Sequence, residues 1–142
     1  GHSPMTDDDL TLLGRTVRGP VTELETFEAP PGCARVRFVT REVTSVCPVT
    51  GQPDISTVLV EYTPRERCIE SKSLKLYLWH FRDRALFAET LAVEVADEVE
   101  RATSPGAVRV TVTQHARGGI VTEVTAERGD IATLPLAPPP VP

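Results

Sequence analysis

The sequence predicts one α+β domain, an antiparallel sheet carrying two helices in the order strand, strand, helix, helix, strand, strand. Three observations lead there. Apolar and polar residues alternate with period two around Val36–Phe38 and again across Ser56–Thr63. Apolar residues then recur at helical spacing, first in Leu74, Tyr77, Leu78 and Phe81, then in Phe87, Leu91, Val95 and Val99. Finally, two alternating runs flank Arg117-Gly118-Gly119, the pattern of a hairpin.

Taken in order, Gly1 to Pro4 read as a remnant of tag cleavage before Met5, so His2 enters no site argument. Residues 5–33 mix acidic residues, Gly and Pro with short apolar pieces (Leu10, Leu12, Leu13, Val21, Leu24, Phe27), as in an irregular arm or a weak edge strand. The folded domain is expected over 34–131. Its first strand runs from Ala34 to Val43. From Val43 to Asp54, two prolines and a glycine forbid a continuing ladder and place Cys47 on an ordered turn. Ser56–Thr63, rich in β-branched residues, returns as the antiparallel partner. The first helix lies between Ser73 and Asp83, with Ser71 or Ser73 as its cap. The second spans Leu86–Ala102 and stops at Ser104-Pro105-Gly106. Ala107–Thr113 and Ile120–Thr125 form the closing hairpin. The tail, 132–142, carries Pro135, Pro138 to Pro140 and Pro142 and is expected to be disordered.

Composition narrows the function. The 142 residues suit a single domain, and no internal linker or repeat suggests a second. Fifteen basic against twenty acidic side chains give a net charge of −5 with no basic run, which argues against polymeric nucleic acid as a partner. No apolar stretch approaches the roughly 20 residues that span a bilayer, and no signal peptide opens the chain, so a cytoplasmic protein without a membrane partner is expected. Cys33, Cys47 and Cys68 fit neither a zinc pattern nor a disulfide framework, and His80 and His115 stand apart from them, so no metal site is expected.

Cys47 is the first candidate for chemistry, with a carboxylate, Asp54, seven residues on. Spacing alone leaves a buried structural thiol equally open. A carboxylate disfavours a neighbouring thiolate, so the pair makes chemical sense if Asp54 delivers a proton to the group that Cys47 attacks, as in addition to C≡N or C=O. In Glu70-Ser71-Lys72-Ser73-Leu74-Lys75, the two lysines stand beside a helix start suited to phosphate, though the pattern alone favours a solvated face with a capping serine. Arg117-Gly118-Gly119 is a hairpin turn with an arginine, and Glu89 suits the dipole of the second helix. Cys33 and Cys68 read as structural, and Trp79 as a residue of the core or of a subunit contact.

Together, Thr44-Ser45-Val46-Cys47-Pro48-Val49-Thr50-Gly51-Gln52-Pro53-Asp54 and Glu70-Ser71-Lys72-Ser73-Leu74-Lys75-Leu76-Tyr77 strongly resemble the NADPH-dependent 7-cyano-7-deazaguanine reductases of queuosine biosynthesis. Phe81-Arg82, Phe87, Glu89 and Arg117-Gly118-Gly119-Ile120 fall where that family places similar residues, so the likeness covers about 35–125. It is closest to the short, single-module branch. The resemblance implies a tunnelling fold whose sheets join into a barrel in a homo-oligomer, with the cofactor bound at a subunit interface. It also implies a thioimide formed by Cys47 on the nitrile, protonation by Asp54, and two successive NADPH molecules. Glu89, with Glu70 and Ser71, would bind the 7-deazaguanine substrate, and Lys72, Lys75, Arg117 and Gly118 the NADPH. Ala88 departs from the pattern, because the family commonly carries a histidine before the substrate glutamate; either His80, His115 or a water stands in, or the activity has drifted. Two other readings remain: a relative that captures the same nitrile but transfers another nucleophile, forming an amidine or amide, and a non-catalytic deazapurine-binding protein.

Overall fold

A computed structural model describes residues 19–141. The tag remnant and the arm up to residue 18 lie outside the described residues. Among the described residues are six strands and two α-helices: β1 (Thr26–Glu28), β2 (Val36–Val46), β3 (Pro53–Tyr62), β4 (Arg67–Ile69), α1 (Ser71–Trp79), α2 (Ala88–Thr103), β5 (Ala107–Arg117) and β6 (Ile120–Gly129). An antiparallel sheet in the order β2-β3-β5-β6 forms the body, and β1 pairs with β4 in a small second sheet. The predicted order holds, with the two helices on one face of the main sheet. Val58 and Val60 of β3 and Val108, Val110 and Val112 of β5 pack there against Leu91, Val95 and Val99 of α2 and Leu74 and Leu78 of α1. Each such side chain, once buried, contributes roughly 1.5–3 kcal/mol.

Of the boundaries that differ from the sequence reading, four have a local reason. The β2 ladder does not stop at Val43: Ser45 pairs with Asp54 and Val46 with Pro53. Pro53, lacking an N–H, is tolerated as the first residue of its strand. Asp54 therefore belongs to β3, and the turn shrinks to Cys47–Gln52. At the start of α1 neither serine caps. Glu70 does so, its carboxylate accepting from Lys72 N (2.8 Å) and Ser73 N (2.7 Å), while the Ser73 hydroxyl donates to Glu70 O inside the first turn. The helix ends at Trp79, where a 3-10 turn over His80–Asp83 takes over. Phe87 precedes α2 as its N-cap and is more than half exposed, so the buried stripe begins at Ala88.

Beyond Thr133 the described residues have no regular structure, as the prolines require, yet the expectation of disorder from residue 132 does not hold for the first half of the tail. Leu134 is fully buried. Arg35 donates to Pro135 O (3.1 Å), and Arg37 to Pro138 O (2.8 Å) and Ala137 O (3.1 Å). Those arginines stand on the sheet face away from the helices, around the buried Glu61 carboxylate, which pairs with Arg35 at 2.9 Å and Arg37 at 3.1 Å. Guanidinium donors thus anchor a segment that cannot supply its own ladder.

Candidate active site

Val36 and Phe38 pack toward the helices while Arg35 and Arg37 face the other way. Strict alternation would send Val43 and Ser45 outward with the arginines. A bulge between Thr40 and Val43 inserts one residue against β3 and reverses the phase. Val43 and Ser45 are therefore buried on the helix side, and so is Asp54, the partner of Ser45, at 5% exposure.

The turn that follows is closed from both ends. Gly51 N donates to Cys47 O (2.9 Å) and Cys47 N to Gln52 O (2.8 Å). Gly51 has φ +72°, a conformation glycine adopts without strain. Around the thiol, the Thr50 hydroxyl, then the backbone N–H groups of Thr50 and Val49, hold Cys47 below its ordinary titration range, against burial and the nearby Asp54 carboxylate, which push it up.

Two further segments meet this turn. Val46 forms a parallel bridge with Ala85: Val46 N donates to Arg84 O (2.9 Å), and Leu86 N to Val46 O (3.2 Å). Because the two segments run in the same direction, the chain leaves β2 toward Cys47 as the bridged segment runs on through Leu86 and Phe87 into α2, which bears Glu89 in its first turn. Glu89 is exposed there, whereas Ala88 is buried in the core. From the β5–β6 hairpin, whose turn residues Gly118 (φ +60°) and Gly119 (φ +79°) take the two positive values that a type I′ turn needs, Arg117 reaches back. Its Nη1 donates to Asp54 Oδ1 (2.5 Å) and Pro53 O (2.8 Å), and its Nη2 to Gln52 Oε1.

The remaining expected site residues divide. Glu70 is committed to its cap by both carboxylate oxygens. A cavity of about 690 Å³ opens between β2, β3 and α1, with Thr40, Thr44, Ser71, Lys72, Lys75 and Trp79 among its lining. Both lysines thus line this cavity, Lys72 half-buried and Lys75 exposed, and Trp79, partly exposed, lines the same space. Gly118 lies in the turn beside Arg117. Neither histidine faces the cysteine turn. His80 Nδ1 meets Tyr77 O (2.5 Å) and Nε2 meets Arg84, while His115 Nε2 meets Thr57 Oγ1 (3.2 Å). Cys68 is buried against Cys33, and burial, then Cys33, raise its thiol above the ordinary range. Among the described residues no three His, Cys, Asp or Glu side chains gather as a metal site would require. Thr50 and Gln52 were missed in the sequence, although a threonine three residues after a cysteine in a Pro/Gly turn is the residue type that bonds back to its own turn.

The antiparallel sheet, its strand order and the helix pair on one face define a tunnelling-fold protein. The family described as "QueF-like protein" matches residues 53–133, beginning at the first residue of β3. A reductase of Thioalkalivibrio sulfidiphilus named "NADPH-dependent 7-cyano-7-deazaguanine reductase" is 46% identical over 110 residues, 76% of this chain and 85% of that one. One of the same name from an Anaeromyxobacter species is 43% identical over 113 residues, 78% and 93% of the respective chains. Among solved structures, an archaeosine synthase QueF-Like in its apo form superimposes with a TM-score of 0.65 at 35% identity, covering 72% of this chain and 97% of the other. The chain belongs to the QueF-like family.

Proposed function

We propose that this chain reduces the nitrile of 7-cyano-7-deazaguanine to the aminomethyl group with NADPH, through a thioimide on Cys47. The observation that carries the reading is the turn: a thiol held low by donors, on the loop whose far end bears Asp54, with the strand before it bridged through Val46 to the segment that leads into α2 and Glu89. Relatives named for this reaction, 46% identical over most of the chain, support it. Cys47 Sγ adds to the nitrile carbon, and a proton delivered by Asp54 settles on nitrogen, giving a C=N bond that accepts hydride more readily than the nitrile does. The amidine edge of the base would donate to both oxygens of Glu89.

Lys72 and Lys75, on the wall of the cavity, suit a dinucleotide's phosphates, and Ser71 and the Gly118 backbone would complete contacts to substrate and cofactor. A nitrile takes up four electrons on becoming an amine, so NADPH must supply hydride twice. Arg117 would contribute a further phosphate contact. A phosphate that drew the guanidinium off Asp54 would free the Asp54 oxygen for the proton. The cytoplasm is the setting that such a small-molecule reaction implies, and the assembly would be a homo-oligomer with sites at its interfaces.

A second reading draws on the archaeosine synthase likeness: the same thioimide attacked by a nitrogen nucleophile instead of hydride. Intact mass and NADPH absorbance separate the two. The reductase reading expects a mass increase equal to the nitrile, lost in Cys47→Ala, and two NADPH oxidised per nitrile. Adduct without NADPH oxidation overturns it in favour of the second reading, and absence of any adduct overturns both.

A further inference from the structure

We infer that Trp79 is the stacking platform for the nicotinamide ring of the cofactor, at the end of the cavity that leads to Cys47. The inference deepens the proposed reduction and rests on the cavity between β2, β3 and α1 being the dinucleotide site. Lys72, Lys75 and Trp79 stand at i, i+3 and i+7 of α1, which puts all three on one face of the helix. All three line the cavity. That face is cationic at its start and aromatic at its end, with Lys75 and Trp79 about 6 Å apart along the helix axis. A dinucleotide has the same order: a charged diphosphate, then a ribose, then a flat ring.

Trp79 differs from the other large apolar side chains of its helix. Leu74, Leu76, Tyr77 and Leu78 are buried, whereas Trp79 remains 38% exposed while lining the cavity. A planar ring laid on the indole removes apolar area of both partners from water. From β2, Thr40, Glu42 and Thr44 contribute to the same lining, and their oxygens can accept from ribose hydroxyls and from the carboxamide N–H groups. The direction of the cofactor follows from the path of the chain. α1 ends at Trp79, the 3-10 turn His80–Asp83 follows, and the Arg84 carbonyl then receives Val46 N at 2.9 Å, one residue before Cys47. The β2 lining likewise runs from Phe38 to Thr44, toward the end of the strand that leads to Cys47. The lysines belong to the opposite end of α1. Hydride has to reach the carbon bonded to Cys47, so with the phosphates on the lysines the nicotinamide takes the Trp79 end and the adenine the other.

Trp79 is the single tryptophan of the chain, so its emission reports this position alone. The test titrates the whole protein with NADP+, followed by tryptophan fluorescence and, in parallel, by isothermal titration calorimetry. Expected is saturable quenching with the dissociation constant that calorimetry gives, and no quenching by 2′,5′-ADP, which carries adenine and phosphates without nicotinamide. Trp79→Ala should raise KM for NADPH roughly tenfold, and Trp79→Phe should restore most of that loss. Capture of the nitrile on Cys47, which uses no cofactor, should persist in both variants. NADP+ that binds by calorimetry and leaves the emission unchanged overturns the inference, as for a tryptophan closed off in a subunit contact, and leaves the proposed function standing. Equal quenching by 2′,5′-ADP overturns it by placing adenine at Trp79, and so does an unchanged KM in a folded Trp79→Ala protein. Should that variant fail to fold, the titrations of the parent and the KM of Trp79→Phe still decide. Absence of NADP+ binding by calorimetry sinks the proposed reduction itself.

Discussion

Replacing Glu70 with alanine removes both acceptors from the start of α1, and the consequence separates two roles for this residue. Glu70 receives Lys72 N at 2.8 Å and Ser73 N at 2.7 Å, the second bond buried. Loss of an N-cap side chain costs about 1–2 kcal/mol. The Ser73 N–H, left without an acceptor away from water, adds a desolvation penalty, so about 2–3 kcal/mol in all is expected. For a domain of this size that lowers the midpoint by roughly 6–12 °C. Alanine also frees a nine-residue helix at its N-terminus, the end that carries Lys72 and Lys75 along the cavity. Glu70→Gln keeps one acceptor oxygen and should recover about half the loss.

Urea unfolding followed by far-ultraviolet circular dichroism, at one fixed protein concentration, measures this directly, since an oligomer's midpoint moves with concentration. A Glu70→Ala protein as stable as the parent, with only its KM for the deazaguanine raised, would refute the capping argument. It would return Glu70 to the direct substrate role that the family resemblance suggests.

Arg117→Ala should slow covalent capture of the nitrile as well as weaken NADPH, because the guanidinium braces Gln52, Pro53 and Asp54 around the turn; a loss of roughly tenfold or more in each is expected, and Arg117→Lys, lacking the fork, should restore only part. An unchanged rate of adduct formation in stopped-flow or quenched mass assays would confine Arg117 to the cofactor. The Glu94 carboxyl is held below its ordinary range by hydrogen bonds from Arg84. Its contribution is thus complete above the ordinary carboxylate range and lost as pH falls through the lowered value. Arg84→Ala should therefore cost under about 1 kcal/mol at neutral pH, the pair being half exposed, and nothing once both proteins carry a protonated Glu94; equal differences at every pH would contradict this.

The elements that the sequence announces are those whose period survives from end to end. β5 alternates from Ala107 to Thr113 with no interruption and pairs residue for residue with β3. On α2, the i, i+4 stripe of Leu91, Val95 and Val99 is the stripe that is buried. Cys47 and Asp54 are adjacent because the chain between them is short, so their meeting is legible. Arg117 on Asp54 spans sixty-three residues and has no periodic trace, and the carboxylate that caps α1 hides behind two serines that look like better caps. The tail misleads for a related reason: prolines exclude regular structure, and the donors that hold it belong to Arg35 and Arg37, a hundred residues earlier.

The bulge in β2 ties the fold to the chemistry. Before it, Val36 and Phe38 supply the core, and Arg35 and Arg37 turn to the other face, where Glu61 needs them. After it, Ser45 stands opposite Asp54 on the buried side, and the chain leaves the strand two residues later at Cys47. One inserted residue thus lets a single strand serve an arginine-lined face at one end and the carboxylate of the candidate site at the other. A strand of unbroken phase could satisfy Glu61 or place Ser45 with Asp54, but not both, because successive side chains alternate strictly between the faces.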